Sequence, residues 1–399
     1  MSQIKFLRIG TDYYKQVDVP INDTETVNKL IGWKKQTIID DYGKDYIKQI
    51  ESYEGFITIP SHINYKERIH GFYNQYEPVD FQLAEGEFPN TRQFLLHVFG
   101  DQYELGLDYI SILWKKPKHI LPILSLVSKE RNTGKTTFLN WLKLIFGGNM
   151  TLNKNEDFRS QFNSDWASKL IIAIDEVLLE RNEDSERLKH LSTSQYFKLE
   201  GKGKDKIEIP FYGKFILCSN NEDNFVKIDP NEIRYWVRKI PVLKNSNPFL
   251  LQSLENEIPH FMHFIHKREI KTKKMSRMWF APDLLKTDAL ENLIKGNKTY
   301  LEKELMELLY DSLAFFEKET SELKYTAKDL SRMLRDNGHI THNHKISKFL
   351  KDRWNLDSNN GTYKMYHYSA YNSITDSFID YESKKGRYFT FSKELLSKL

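Results

Sequence analysis

Residues 129–138, KERNTGKTTF, contain the residue types that bind a chain of phosphates. They lie between a continuous apolar run, ILPILSLV (120–127), and a sequence with helical spacing, FLNWLKLIF (138–146). A loop from a buried strand to a helix directs backbone N–H groups and the positive end of the helix dipole at one point. We therefore predict that this loop, a P-loop, binds the phosphates of a nucleotide.

Each residue of the loop has a chemical role in that prediction. Gly134 allows the backbone to approach the ligand closely, and Lys135 would reach the β- and γ-phosphates. Thr136 would bind Mg²⁺ through its hydroxyl, and Thr137 would contact the α-phosphate. Asn132 tolerates a positive φ and would form one of the turns. The predicted nucleotide-binding set is Asn132, Thr133, Gly134, Lys135, Thr136 and Thr137.

The loop departs from the full pattern G-x-x-x-x-G-K-[ST] at one position, where Lys129 replaces the first glycine. A G-K-T match also occurs in surface loops that carry an ordinary lysine. The strand before the loop, the helix after it and the polar residues that end two later strands favour phosphate binding.

Two further apolar runs end in polar side chains. LIIAIDEV (170–177) contains Asp175 and Glu176, and KFILCSN (214–220) ends in Asn220. The carboxyl ends of parallel strands face the ligand in such sheets. Asp175 would bind Mg²⁺, Glu176 would orient and deprotonate the attacking water, and Asn220 would hold that water or the γ-phosphate. The alternatives are ordinary solvated strand ends and a turn residue.

The stretch KLEGKGKDKIEI (198–209) predicts a β-hairpin with a tip rich in glycine and lysine. Lysines at such a tip reach outward and can contact a nucleic-acid backbone. We therefore interpret Lys202, Lys204 and Lys206 as candidate DNA-binding residues, with a solvated hairpin as the alternative.

The elements around these motifs predict an α/β fold. Apolar strands that alternate with polar helical stretches imply a parallel sheet with crossover helices. Before the sheet, residues 90–116 predict two helices broken near Gly100, and residues 26–43 predict a polar helix. After it, two long stretches within residues 246–323 have helical spacing.

The C-terminal segment predicts a different unit. A helix over 326–336, a second over 341–354 and a strand over 360–368 follow the order of a winged helix. Residues 324–399 contain 14 lysines and arginines against 8 aspartates and glutamates, a net charge of +6. This excess favours contact with nucleic acid, and a solvated face is the alternative.

Composition excludes several classes of protein. The chain of 399 residues has a single cysteine, Cys218, so an internal disulfide framework and a multi-cysteine zinc site are excluded. No apolar run approaches the ~20 residues that a membrane span needs, and the N-terminal sequence does not have the apolar segment of a signal peptide. We therefore expect no membrane association and a cytoplasmic location.

The motifs together resemble those of the superfamily 3 helicases, which are hexameric ATPases of the AAA+ class. NTGKTTF, KLIIAIDEV, KLEGKGKDK and YGKFILCSN match motifs A, B, B prime and C in that order. More narrowly, residues 90–245 resemble the helicase module of phage and plasmid primase-helicases of the poxvirus-primase-like group. The resemblance implies an AAA+-like P-loop core with helices on both faces of its sheet.

The resemblance also assigns a role to an arginine after motif C, which acts on the γ-phosphate of the neighbouring subunit. Within IDPNEIRYWVRKIP (228–241), Arg234 matches best and Arg238 is the rival. The catalytic set that it implies is Glu176, Asn220 and Arg234, with Thr136 and Asp175 as metal ligands.

The function implied by the resemblance is ATP-dependent, Mg²⁺-dependent unwinding of DNA during replication of a phage or mobile element. Expected partners are single-stranded or forked DNA, five further copies of the chain in a homo-hexamer, and a separate primase. A replication initiator or loader that uses ATP as an assembly switch is the main alternative, and a P-loop ATPase for packaging or defence is a third.

The expected order along the chain has five parts. Residues 1–88 form a mixed α/β region of unknown function, for which a collar and a docking site are the two candidate roles. A helical lead-in over 89–118, the ATPase core over 119–245 and a helical linker over 246–323 follow. The last part is a winged-helix-like DNA-binding domain over 324–399.

Overall fold

The computed structural model describes residues 5–20, 23, 26–160, 163–179, 181–200, 206–229, 232–244, 247–297, 300–366 and 381–399. The chain divides into two compact units. The first contains Met1–Lys227 and Ile233–Leu293, and the second contains Ile228–Glu232 and Ile294–Leu399. The finer division of the chain into five parts stays a prediction.

The N-terminal part of the first unit is built mainly from short strands. A four-stranded sheet has the order β3-β2-β1-β4, and a three-stranded sheet has the order β5-β7-β6. The elements are β1 (Phe6–Ile9), β2 (Asp12–Pro20), β3 (Thr26–Trp33), α1 (Lys35–Tyr42), β4 (Glu51–Tyr53), β5 (Phe56–Ile57), β6 (Arg68–Ile69) and β7 (Phe72–Asn74).

The predicted helix over 26–43 is wrong in its first half. Residues Thr26–Trp33 form β3, which pairs antiparallel with β2 over its whole length, and only Lys35–Tyr42 are helical. The spacing of apolar residues favours a helix here. Antiparallel pairing with β2, however, satisfies the hydrogen-bonding backbone groups of every second residue of β3, and this pairing overrides the local preference.

The helical lead-in and the first half of the central sheet follow. The predicted break near Gly100 is confirmed, because one helix ends at Phe99 and the next begins at Tyr103. The elements are α2 (Pro89–Phe99), α3 (Tyr103–Lys115), β8 (Ile123–Val127), α4 (Lys135–Phe146), β9 (Met150–Asn153), α5 (Asn155–Arg159), β10 (Ile171–Ile174) and α6 (Asn182–Leu191).

The second half of the sheet and three helices complete the first unit. The predicted hairpin is confirmed, since its two strands pair antiparallel from Tyr196↔Pro210 to Leu199↔Ile207. The elements are β11 (Tyr196–Leu199), β12 (Ile207–Pro210), β13 (Lys214–Ser219), β14 (Tyr235–Lys239), α7 (Leu250–Asn256), α8 (Ile258–Lys267) and α9 (Asp288–Gly296).

The central sheet has five strands in the order β14-β8-β13-β10-β9, and every pair is parallel. The five residues of β8 are all buried, as continuous apolar runs in covered parallel sheets are. Helices α2, α3, α4 and α8 pack with the sheet into one core, where Phe99 stacks on Trp236 at 5.3 Å. Each such buried side chain contributes about 1.5–3 kcal/mol.

The second unit has its own core and a three-stranded antiparallel sheet in the order β15-β17-β16. Its elements are α10 (Tyr300–Phe315), β15 (Glu322–Thr326), α11 (Ala327–Asp336), α12 (Asn343–Asp352), β16 (Asn359–Tyr366), β17 (Tyr381–Ser392) and α13 (Lys393–Lys398). Thr326 caps α11 by accepting a hydrogen bond from the backbone N–H of Asp329 at 3.1 Å. None of the described helices in either unit combines the length and apolarity that a bilayer span requires.

Candidate nucleotide-binding site

The predicted phosphate-binding loop connects the carboxyl end of β8 to the first residue of α4. Two of its residues have left-handed backbones, Asn132 at φ +55° and Gly134 at φ +87°. The predicted role of Asn132 in the turn is therefore confirmed. A Cβ atom at Gly134 would lie 3.0 Å from the ring of Phe94, so both conformation and space require glycine there.

Lys129 does not need to be a glycine in this loop, because its backbone is outside the left-handed region. Its N–H donates to Oε1 of Glu222 at 2.8 Å, and its ammonium forms an exposed ion pair with Asp223 at 2.8 Å. Glu222 also accepts from Nζ of Lys239 at 2.9 Å. Burial alone would raise the pKa of the Glu222 carboxyl, but these hydrogen bonds outweigh burial and lower it.

Two further contacts hold the loop on its other side. Nε2 of His97 lies 3.0 Å from the carbonyl oxygen of Thr133, and the N–H of Leu243 donates to the carbonyl of Asn132 at 3.0 Å. The sequence motifs did not identify His97, Glu222 or Leu243, because each is far from the loop along the chain.

Lys135 is buried beside the loop at the start of α4. Its ammonium donates to the carbonyl of Ser128 at 3.1 Å and to the hydroxyl of Thr133 at 3.3 Å. Burial lowers the pKa of Lys135, while Cys218, Asp175 and Glu222 act in the opposite direction. The ammonium is thus held against the loop that is predicted to surround the phosphates.

Thr136 and Asp175 meet, although they are 39 residues apart in the sequence. The hydroxyl of Thr136 donates to Oδ2 of Asp175 at 3.1 Å. A hydroxyl and a carboxylate are oxygen ligands that Mg²⁺ prefers, with phosphate and water completing its octahedral shell. Among the described residues, no group of three or more His, Cys, Asp or Glu is suited to holding a metal.

Glu176 has a left-handed backbone at φ +52°, which is uncommon for a residue with a side chain. Its N–H donates to Oδ1 of Asp175 at 3.0 Å. The side chain of Asn155 donates to the carbonyl of Glu176 at 3.3 Å and accepts from the N–H of Leu178 at 3.1 Å. Asn155 therefore holds the backbone on both sides of Val177, a role that no sequence motif indicated.

Glu176 and Asn220 line the same open cavity of about 600 Å³. Ser219 fixes their relative position, because its hydroxyl donates to the carbonyl of Val177 at 2.9 Å. Asn220 is exposed and follows directly after β13, the strand between β8 and β10. The structure thus brings the loop, the carboxylates and the amide to one edge of the sheet.

The two arginines after motif C have different surroundings. Arg238 lies within β14 and donates to Oε1 of Gln102 at 2.9 Å and the carbonyl of Phe99 at 2.6 Å, and it pairs with Asp101 at 2.9 Å. Arg234 directly precedes β14, and its carbonyl accepts from the N–H of Ile123 at 2.8 Å. Arg234 is therefore at the amino ends of β14 and β8, the edge of the sheet opposite to Lys135.

Of the predicted DNA-binding lysines, the structure describes Lys206 alone. Lys206 forms an ion pair with Glu200 at 2.9 Å, next to the Leu199↔Ile207 end of the hairpin. Lys202 and Lys204 lie outside the described residues. Thr137 is half-buried in the first turn of α4, next to Thr136.

Comparisons with known proteins identify the fold but no established family. Residues 126–234 match a family of unknown function, DUF5906, and no curated protein matches the chain. The A form apo structure of the NrS-1 C-terminal region (305–718) covers 97% of this chain and 96% of its own, at 16% identity and a TM-score of 0.65. A second apo structure of that region covers 97% and 95%, at 15% identity and a TM-score of 0.66.

These two matches show a shared fold over nearly the whole chain. A structure of JCV helicase is also similar, at 12% identity over 56% of this chain and 65% of its own. Its TM-score of 0.30 is too low to carry an argument.

Proposed function

We propose that this protein is an ATP-dependent DNA helicase of the superfamily 3 type that acts in replication of a phage or mobile element. The observation that carries the proposal is the contact between Thr136 and Asp175 at 3.1 Å, with Glu176 and Asn220 at the same sheet edge. Motif residues from three separate strand ends converge there, which an isolated G-K-T match would not require.

ATP is the substrate in this proposal. The loop N–H groups and Lys135 bind its phosphates, and Thr137 contacts the α-phosphate. Glu176 orients and deprotonates the attacking water, and Asn220, which lines the same cavity, holds that water or the γ-phosphate. Asn155 holds the Glu176 backbone in its left-handed conformation, at a position where Glu176 lines the cavity.

Thr136 and Asp175 would hold Mg²⁺, and the metal would neutralise charge on the β- and γ-phosphates. The hydrogen bond between the two side chains already sets their oxygens at ligand-like separation. Because one hydroxyl and one carboxylate make a weak site on their own, we expect the metal to bind together with the nucleotide.

Arg234 would complete the site of a neighbouring copy. Within one chain it lies at the sheet edge opposite to Lys135, so it cannot reach the phosphates bound by its own loop. A positive charge delivered by a second copy would stabilise the transition state of phosphoryl transfer and make hydrolysis depend on assembly. A homo-hexamer in which each ATP lies between two copies meets this requirement.

Two regions would contact DNA. One is the hairpin of β11 and β12, where Lys206 directly precedes β12 and the candidates Lys202 and Lys204 come between the two strands in the sequence. The second unit has the order helix, strand, two helices and two strands, which is the order of a winged helix. On α12, three lysines are exposed while Ile346, Phe349 and Leu350 are buried. The exposed face of this helix is therefore basic and suited to phosphate contacts.

The test is ATP hydrolysis with and without single-stranded DNA, for the parent protein and for Glu176→Gln. We expect DNA to stimulate the parent and the substitution to lower the rate by about 10²–10⁴-fold, with ATP binding retained. Glu255→Gln, an exposed glutamate on α7, is the matched control. Hydrolysis by Glu176→Gln at the parental rate would contradict the proposal.

An ATP-switched initiator or loader is the second candidate, because the second unit is compact and has its own core. Specific binding to duplex DNA that survives Lys135→Ala but is lost in Lys345→Glu/Lys348→Glu would favour this function. Strand displacement that needs Glu176 would favour the helicase.

A further inference from the structure

A second cavity lies at the opposite end of the central sheet, near the amino ends of β8 and β13. Its volume is about 450 Å³. Two short segments line it, Pro60–Asn64 from the N-terminal part and Trp114–His119 between α3 and β8. Neither segment carries a motif, and the nucleotide site uses none of these residues.

The lining of this cavity is basic and contains no carboxylate. Lys115, Lys116 and Lys118 all contribute to it. In the described part of the chain, none of the three forms an ion pair with an aspartate or glutamate, and Nζ of Lys115 donates to the carbonyl of Arg268 instead. Around the nucleotide loop, by contrast, Lys129 and Lys239 both have carboxylate partners.

Two titratable groups lie beside these lysines, Lys214 and His119. Lys214 lies buried at the start of β13, where its ammonium donates to the carbonyls of Pro117 and Tyr212. Burial and, to a smaller extent, the charges of Lys274, Lys214 and Lys116 together lower the pKa of His119 to about 4. Because the imidazole of His119 is neutral, it adds no further repulsion to that among the lysines, and it does not neutralise their charge.

One wall of the cavity is rigid. His62 stacks on Trp114 with ring centroids 4.6 Å apart. Its Nδ1 donates to the carbonyl of Trp114 at 2.8 Å, and its Nε2 accepts from the hydroxyl of Tyr76 at 2.5 Å. Burial lowers the pKa of His62 to about 4, so the wall is neutral and aromatic. The cations of the rim therefore face a surface that does not compete for an anion.

Trp279, which contacts two of the lining residues, has an unusual backbone conformation. Trp279 has φ +78°, and its ring packs edge-on against His119 at 5.2 Å and beneath Nζ of Lys116 at 5.2 Å. A bulky residue at positive φ is strained and persists where its surroundings over-determine it. Of the four other described non-glycine residues with a positive φ, two, Asn132 and Glu176, are at the nucleotide site.

We propose that this cavity is a binding site for phosphate groups, separate from the nucleotide site, with Lys116 and Lys118 as its principal contacts. Exposed lysines that form no ion pair with a carboxylate, beside a rigid neutral wall, form a site that an anion can enter at low cost in reorganisation. The stretch 266–277 contains six lysines and arginines and one glutamate, and the carbonyl of Arg268 accepts from Nζ of Lys115. Arg268 and Lys271 are paired with Glu104, whereas Lys274 acts on the cavity by lowering the pKa of His119.

The phosphates could belong to a nucleic-acid strand or to a free phosphate compound, and two probes distinguish these sources. One is fluorescein-labelled dT₂₀, followed by anisotropy across a salt series, and the other is inorganic pyrophosphate, followed by calorimetry. Both are measured on the full chain carrying Lys135→Ala, so that the nucleotide loop does not bind the probe. The inference does not depend on ATP hydrolysis, and its failure would leave the proposed function untouched.

The variants are Lys116→Glu/Lys118→Glu and the milder Lys116→Gln/Lys118→Gln. The matched control is Lys29→Glu/Lys44→Glu, two exposed lysines that do not line the cavity. If a strand binds there, the charge reversal lowers dT₂₀ affinity by about tenfold and reduces the slope of log affinity against log salt by about 1.4, from two lost phosphate contacts.

If a free phosphate compound binds there, the charge reversal abolishes pyrophosphate binding and leaves dT₂₀ affinity equal to that of the control. Either result supports the phosphate site and assigns its source. The glutamine variant changes affinity in the same direction, by a smaller factor, if charge is the cause. If both probes bind the cavity variants as well as they bind the control, the inference is wrong.

Discussion

The two ends of the central sheet differ in whether their charged side chains are paired. At the carboxyl ends of the strands, cations and carboxylates are paired, as Lys129 is with Asp223 and Lys239 with Glu222. At the amino ends, Lys116 and Lys118 line a cavity without a carboxylate. Both ends contain a buried lysine, Lys135 at one and Lys214 at the other.

This difference in pairing indicates that charged side chains have different roles at the two ends. The pairs at the carboxyl end hold backbone in place, since Glu222 fixes the N–H of Lys129 and Asp175 fixes that of Glu176. Charges used in this way position a loop and cost little when their partners are near. Lys116 and Lys118 form no ion pair with a carboxylate of the described residues, so we expect their charges to act on a ligand.

The largest effect on stability is expected at the carboxyl ends of the strands, where charged side chains are paired. Arg238→Ala removes hydrogen bonds to Gln102 and the carbonyl of Phe99 and leaves Gln102 and Asp101 without this partner. We expect the free energy of unfolding to fall by about 3 kcal/mol, measured by urea denaturation. Lys118→Ala, at the other end, should change it by less than about 0.5 kcal/mol. Equal losses in the two variants would remove the distinction between the two ends.

The next largest effect concerns stabilisation by ATP, which should depend on only one of the two buried lysines. ATP with Mg²⁺ at 100 times its dissociation constant should stabilise the parent by about 2.7 kcal/mol. Lys135→Ala should abolish this stabilisation, because the ammonium beside Ser128 and Thr133 is lost. Lys214→Met should retain it. Thermal denaturation with and without ATP checks both, and loss of the ATP effect in Lys214→Met would contradict the assignment.

A smaller effect concerns pH. Burial lowers the pKa of Lys214 to about 7, from an ordinary value of 10.5 in the unfolded chain. Between these values the unfolded state binds more protons, so stability rises with pH, and the penalty is complete below pH 7. The slope from one proton is at most about 1.4 kcal/mol per pH unit.

Urea denaturation of the parent and of Lys214→Met at pH 7, 8 and 9 measures that slope. The parent should become more stable relative to the variant as the pH rises. A difference between them that is constant over this range would show that Lys214 stays charged in the folded protein.

The smallest effect is expected from Lys129→Gly, which restores the full sequence pattern of the loop. The backbone of Lys129 is not left-handed, and its N–H already has a partner in Glu222. We therefore expect the affinity for ATP to stay within about twofold of the parent, measured by calorimetry. A large gain in affinity would show that the first glycine has a role that this loop does not fill.

The sequence predicted the parts of the site that short-range patterns encode. Strand, loop and helix around Gly134 are contiguous, and an apolar run that ends in Asp175 and Glu176 is visible without a structure. His97, Asn155 and Glu222 were not predicted, because they contact the motifs through folding and have no characteristic spacing.

The fold, too, could be predicted only where local sequence patterns determine it. The two helices around Gly100 and the hairpin of β11 and β12 were predicted from local spacing and turn residues. Strand β3 was missed, since its conformation follows from pairing with β2 rather than from its own residues. The basic cavity joins segments about 50 residues apart, and no pattern in either segment indicates the other.

Cys218 gives the protein a natural reporter of the opening of its core. It is the sole cysteine of the sequence, it is fully buried in β13, and its Sγ is 3.9 Å from the carbonyl of Lys135. Burial raises the pKa of this thiol well above its ordinary value, so the folded protein resists alkylation. The rate at which a thiol reagent labels the chain therefore measures how often the central sheet separates from helix α4, without any engineered label.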